Sequence, residues 1–192
     1  MDLRGVKIGF ALTGSFCTFD KALSTMKEIE AQGAELFPIV SYAVDQLDTR
    51  FMKAEDLKKE LIEISGRGVI NTIPGAEPIG PKAMLDILLV CPCTGNTLAK
   101  IANAITDTPV TMAVKAHLRN ERPVVLAVST NDGLGLNAKN IGSLLSAKNI
   151  YFVPFGQDDA QNKPKSLVSY LDLTINTVKH ALNGSQLQAL VC

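Results

Sequence analysis

Five short apolar runs, at residues 6–12, 35–40, 87–91, 124–128 and 150–153, alternate with stretches of helical spacing, and this alternation limits the chain more than any other feature. Runs of this length that end at turn residues read as buried strands, and strands alternating with helices predict a parallel sheet with right-handed crossovers. The first unit shows the pattern. Residues 6–12 end at Thr13-Gly14-Ser15, and Phe19, Leu23, Met26 and Ile29 then recur at helical spacing over residues 17–32. Gly33 follows where a helix-terminating glycine belongs.

Pro38 places the second strand at a sheet edge, because proline cannot donate to a central ladder. Helices are expected over residues 54–64, 97–105, 109–118, 138–147 and 166–182, the last with Leu167, Leu171, Thr174 and Val178 on one face. The Gly- and Pro-rich segment 66–81 reads as an irregular excursion with a short strand at 69–73. With the second strand at an edge, the expected fold is α/β: a flavodoxin-like, doubly wound parallel sheet of order 2-1-3-4-5 in three α/β/α layers. A length of 192 residues suits one such domain, covering 1–192. The C-terminal segment 183–192 is expected to be loose or to dock on a neighbouring subunit.

Lys and Arg balance Asp and Glu at 19 each, and no block of like charge occurs, so the chain carries no footprint for nucleic acid. The apolar runs are far shorter than a bilayer span and the N-terminal residues lack a signal-peptide pattern, which predicts a cytoplasmic protein. Cys17, Cys91, Cys93 and Cys192 have neither disulfide-framework nor zinc-site spacing and are expected as reduced thiols, with no metal.

Ligands of a doubly wound sheet bind beyond the carboxyl ends of the strands, where the strand order reverses. Three polar clusters fall there. Thr13-Gly14-Ser15 offers a glycine turn and hydroxyls before a helix, a pattern shared by anion cradles and by ordinary helix caps. It is not a Walker loop, since Ser15 stands where that motif needs Lys, and Gly-x-Gly-x-x-Gly is absent. Pro92, Thr94, Asn96 and Thr97 crowd the end of the third strand, and residues 129–137, STNDGLGLN, leave the fourth. Lys100, Lys115, Arg119 and Arg122 on the intervening helices suit carboxylates or a solvated face.

The stretches ALTGSFCTF, ILLVCPCTGNTLAKIANAITDTPVT and VSTNDGLGLNAKNIGSLLSAKNIYFVPFGQ, in this order, resemble the flavoprotein family that includes the FMN-dependent cysteine decarboxylases and phosphopantothenoylcysteine decarboxylase. The resemblance implies homo-oligomers, trimers or dodecamers. It also implies FMN held at Gly14, Ser15, Phe16, Ser41, Pro92, Thr94, Asn96 and Thr97. Two departures separate the chain from the decarboxylases. Glu77 and Pro78 stand near the position of the family's catalytic His, and the Pro-x-Met-Asn substrate motif becomes Ser129-Thr130-Asn131. His117 and His180 lie elsewhere in the sequence, so no catalytic residue is carried over.

The resemblance extends to a branch whose members work with a Rossmann-type A subunit to oxidise dihydrodipicolinate to dipicolinate in the mother cell of sporulating bacteria. In that branch NADP enters through the partner protein. By this implication Ser129, Thr130 and Asn131 contact substrate. A stand-alone FMN-dependent decarboxylase and a non-catalytic assembly scaffold are the alternatives.

Overall fold

The computed structural model describes residues 2–192. Strands β1 (Lys7–Leu12), β2 (Glu35–Val40), β3 (Ile87–Cys93), β4 (Val124–Thr130) and β5 (Ile150–Phe152) pair in parallel in the spatial order 2-1-3-4-5. The flavodoxin-like order expected from the edge proline is therefore present. β2 is the edge strand, with Pro38 opposite Phe10. Its outer side carries a single bridge to Ile70, whose N–H donates to the Pro38 carbonyl and whose carbonyl accepts from Val40, both at 2.9 Å.

β3 and β4 are buried almost throughout, as befits parallel strands covered on both faces. Successive side chains point to opposite sides and divide the core in two. Phe10, Leu12, Leu89, Cys91, Val125 and Ala127 meet helices α1 (Phe19–Ala31), α3 (Ala54–Ser65) and α8 (Thr174–Leu182). Ala11, Leu88, Val90, Cys93, Leu126 and Val128 meet α5 (Gly95–Ala102), α6 (Pro109–Leu118) and α7 (Ala138–Leu145). Each fully buried Leu, Ile or Phe contributes about 1.5–3 kcal/mol, so these two faces outweigh any cap or surface ion pair.

In α1 the spaced residues Leu23, Met26 and Ile29 turn inward, and Gly33 follows with φ +82°, a conformation that strains residues with a Cβ. Two short helices, α2 (Tyr42–Gln46) and α4 (Ile73–Ala76), complete the connections after β2.

The structure corrects three expectations. Residues 166–182 are not one helix: Leu167–Ser169 form strand β7, antiparallel to the end of β4, and only Thr174–Leu182 is α-helical. β7 in turn pairs with β6 (Phe155–Gly156). The helical spacing of Leu167 and Leu171 is overridden by the pairing of Val168 with Ser129, which satisfies backbone groups at the margin of the sheet. The strand expected at 69–73 reduces to the Ile70 bridge, since Ile73-Pro74 already begins α4 under the Thr72 cap. The C-terminal segment docks on its own chain: Phe155 N–H donates to the Leu190 carbonyl at 3.0 Å. Among the described residues no helix is long and apolar enough to cross a membrane.

Candidate functional site

The carboxyl ends of β1, β3 and β4 are joined by side-chain hydroxyls. Thr13, buried after β1, donates from Oγ1 to the Pro92 carbonyl at 2.8 Å and accepts from the Thr94 N–H at 2.9 Å. Thr94 caps α5, accepting from the Thr97 N–H at 3.3 Å, and its hydroxyl meets that of Thr97 at 3.2 Å. These bonds tie the loop after β1 to the start of α5. A third link crosses to β4, where the Ser15 and Ser129 hydroxyls lie 2.8 Å apart.

Beyond β4 the chain folds around Asp132. Its carboxylate accepts from the Thr130 hydroxyl at 2.7 Å and from Asn137 Nδ2 at 2.8 and 3.0 Å. Those bonds, the Thr130 one first, hold Asp132 below the usual carboxylate range and keep it ionised. Asn140 supports the amide in turn, donating to Asn137 Oδ1 at 2.8 Å. Gly95 lies against this network, for a Cβ there would fall within 3.0 Å of polar atoms on Thr130, Asp132 and Asn137.

These segments border an open cavity of about 920 Å³, within the range of small-molecule sites. Of the residues singled out in the sequence, Gly14, Ser15, Phe16, Thr94, Asn96, Ser129, Thr130 and Asn131 line it. Ser41, Pro92 and Thr97 are buried behind the wall instead. Ser41 adjoins the Gly14 turn through Ala43, whose Cβ would lie 3.6 Å from one added at Gly14. Its hydroxyl is buried and makes no hydrogen bond among the described residues.

The wall also includes Cys17, Lys21, Arg50, Phe51, Lys163 and Ser166. Sequence reasoning missed the last five. They reach the cavity from α1 and from two connecting segments, and nothing local in the sequence marks them. The basic residues considered earlier lie away from it: Lys100 pairs with Asp107 at 2.9 Å, and Arg122 binds the Ala83 and Leu85 carbonyls.

Cys91 and Cys93 are buried in the apolar core. Burial pushes the Cys91 thiol up to about 12 and raises that of Cys93 as well, which leaves both as neutral, unreactive thiols. Among the described residues no group of three or more His, Cys, Asp or Glu side chains is placed to hold a metal ion.

A doubly wound parallel sheet with a hydroxyl- and amide-lined cavity at its switch in strand order defines a flavodoxin-like α/β protein. The chain belongs to the Flavoprotein family, whose family model matches residues 1–177. It is similar to the B subunit of dipicolinate synthase from Bacillus subtilis (strain 168), with 47% identity over 189 residues, 98% of this chain and 94% of the relative. The crystal structure of the corresponding dipicolinate synthase chain from Bacillus halodurans C superposes with a TM-score of 0.92 at 43% identity, covering 100% of this chain and 98% of that one. The FMN-dependent cysteine decarboxylase SpaF shares the fold at a TM-score of 0.66 and 18% identity, over 94% of this chain and 97% of that one.

Proposed function

We propose that this chain is the flavoprotein-type subunit of a dipicolinate synthase, working with a Rossmann-type A subunit in the cytoplasm of a sporulating mother cell. The reaction converts dihydrodipicolinate and NADP⁺ to dipicolinate, NADPH and a proton, with the nicotinamide held by the partner. The observation that carries this reading is the near end-to-end similarity to the Bacillus subtilis protein, at 47% identity. The chain acts as one domain and assembles as a homo-oligomer, a trimer or a dodecamer.

The residues at the cavity fit a flavin mononucleotide. Ser15, Thr94 and Asn96 supply polar groups on the wall beside the Gly14 turn for a phosphate and ring, and the buried, unpartnered Ser41 hydroxyl lies behind that turn. Phe16 brings an aromatic surface, fixed edge-on to Phe19 at 5.3 Å between ring centroids. Bound there, a flavin would supply a planar redox-active ring. Pro92 and Thr97 support the wall from behind, Pro92 through its carbonyl and Thr97 through Thr94.

Ser129, Thr130 and Asn131 contact substrate in this reading. Thr130 is held by Asp132, and Asn131 is exposed at the cavity with its amide free to orient a carboxylate. No histidine lines the cavity, since His117 and His180 lie on α6 and α8, and this separates the chain from a decarboxylase using an imidazole acid. Loss of two hydrogens yields an aromatic ring, so positioning of the dihydropyridine is the main task left to this chain.

The test is NADPH formation from freshly generated dihydrodipicolinate by the A subunit, with and without this chain and with and without FMN. Oxidation that requires this chain is the expected result; oxidation indifferent to it would overturn the reading.

A further inference from the structure

Three cationic side chains, Lys21, Arg50 and Lys163, and two carboxylates, Asp132 and Asp158, line the cavity. Lys163 is neutralised by Asp158 at 2.9 Å. Asp132 is turned toward Thr130 and Asn137. Lys21 and Arg50 are left facing the cavity with no carboxylate partner among the described residues. The wall thus carries two cations that its own acids do not satisfy.

Arg50 is also held in place. Its guanidinium carbon lies 4.8 Å from the centroid of the Phe51 ring, a cation–π contact. The segment that presents both is pinned at each side: Thr49 Oγ1 accepts from the Phe51 and Met52 N–H groups at 3.2 and 3.3 Å, and Asp48 accepts from the Ala54 N–H at 2.9 Å. Phe51 is 49% exposed and lines the cavity, so its ring offers a flat apolar surface there. A planar, permanently charged fork suits a carboxylate, and a flexible ammonium suits a second one at variable reach.

We propose that Lys21 and Arg50 are the carboxylate-recognising pair of this cavity, holding the two carboxylates of a pyridine-type 2,6-dicarboxylate whose ring lies against Phe51. This rests on the dipicolinate synthase reading and adds the residues that select a dianion. A flavin phosphate is an anion of related chemistry, so the same experiment has to separate the two.

The experiment is calorimetric titration of the full-length chain, alone and with the A subunit, in metal-free buffer. The probes are dipicolinate, picolinate with its single carboxylate, FMN and riboflavin. They are repeated with Arg50→Gln and Lys21→Gln, whose folding is checked by thermal melting. Each substitution is expected to weaken dipicolinate binding by about ten- to a hundred-fold, the size of a lost charge-assisted hydrogen bond. Picolinate should lose less, and the ratio of FMN to riboflavin affinity should stay constant. Unchanged dipicolinate affinity in both variants overturns the inference. A loss confined to FMN, with riboflavin unaffected, also overturns it and assigns the pair to phosphate. If the A subunit needs this chain for NADPH formation while both variants bind dipicolinate normally, only the inference falls. If the chain is dispensable for that reaction, the function itself falls.

Discussion

At the amino ends of β3 and β4 the margin of the sheet is closed by side chains that turn inward onto backbone carbonyls, whereas at the carboxyl ends side chains bond one another and leave a cavity. On the closed side Arg122 donates to the Ala83 and Leu85 carbonyls, and Asn120 donates to the Gly80 carbonyl at 2.6 Å. His117 is 1% exposed there, with no hydrogen bond to either ring nitrogen among the described residues. On the open side the Thr13, Thr94, Ser15, Ser129 and Asp132 side chains hold three loops in register around the cavity. Polarity at a sheet margin is therefore not itself a sign of function. What marks the functional end is that its polar groups, some bonded to backbone and some to one another, are arranged around space.

The largest effect expected to sharpen this contrast is a pH signature confined to the closed end. Burial first, and then the Arg122 charge, lower the His117 pKa from 6.5 to about 4, against the opposing pull of the Pro123 carbonyl and the Asp86 carboxylate. The unfolded chain therefore binds a proton between these values that the folded chain does not. The His117 contribution is intact above about pH 6.5 and is lost as pH falls toward 4. It amounts to about 3 kcal/mol at 1.36 kcal/mol per unit. Urea denaturation at pH 7 and pH 4 should show the native chain losing about that much more stability than His117→Leu. Equal losses would show that the imidazole is accommodated in both protonation states.

A smaller effect is expected from crowding the open end. Gly95→Ala places a methyl within 3.0 Å of Thr130, Asp132 and Asn137 polar atoms. Although alanine favours a helix over glycine, parting that network should cost about 2 kcal/mol and weaken any ligand held at the cavity. An unchanged denaturation midpoint would mean that the Asp132 cluster yields freely.

The smallest effect is local to one cap. Thr94→Val removes the acceptor for the Thr97 N–H and should cost about 1 kcal/mol, read as a shift in the urea midpoint at constant pH. A loss of several kcal/mol instead would show that the Thr13 to Thr94 contact carries the loops jointly and not as separate bonds.

Much of the scaffold was legible because its signals are local. Pro38 marked the edge, Gly33 ended the first helix, and the apolar runs 87–91 and 124–128 within β3 and β4 announced burial on both faces. The segment 166–182 was misread because its spacing satisfies a helix until Val168 meets Ser129, a partner 39 residues earlier in the register. At the cavity, glycine and hydroxyl clusters at strand ends were visible in order. Lys21, Arg50, Phe51 and Lys163 were not, because only the crossovers bring α1, the segment before α3 and the loop after β6 to one wall.

The bridge from Ile70 to the edge strand has a consequence for how copies of this chain can meet. An open strand edge is a template on which another polypeptide extends the sheet, and it is a common route to uncontrolled aggregation. Here Pro38 has no N–H to offer, and its carbonyl and the Val40 amide are already taken by Ile70 of the same chain. The sheet cannot grow outward at this point. At this edge, contact with further copies or with a partner protein is left to side chains and not to backbone ladder bonds, which disfavours fibre-type strand addition there.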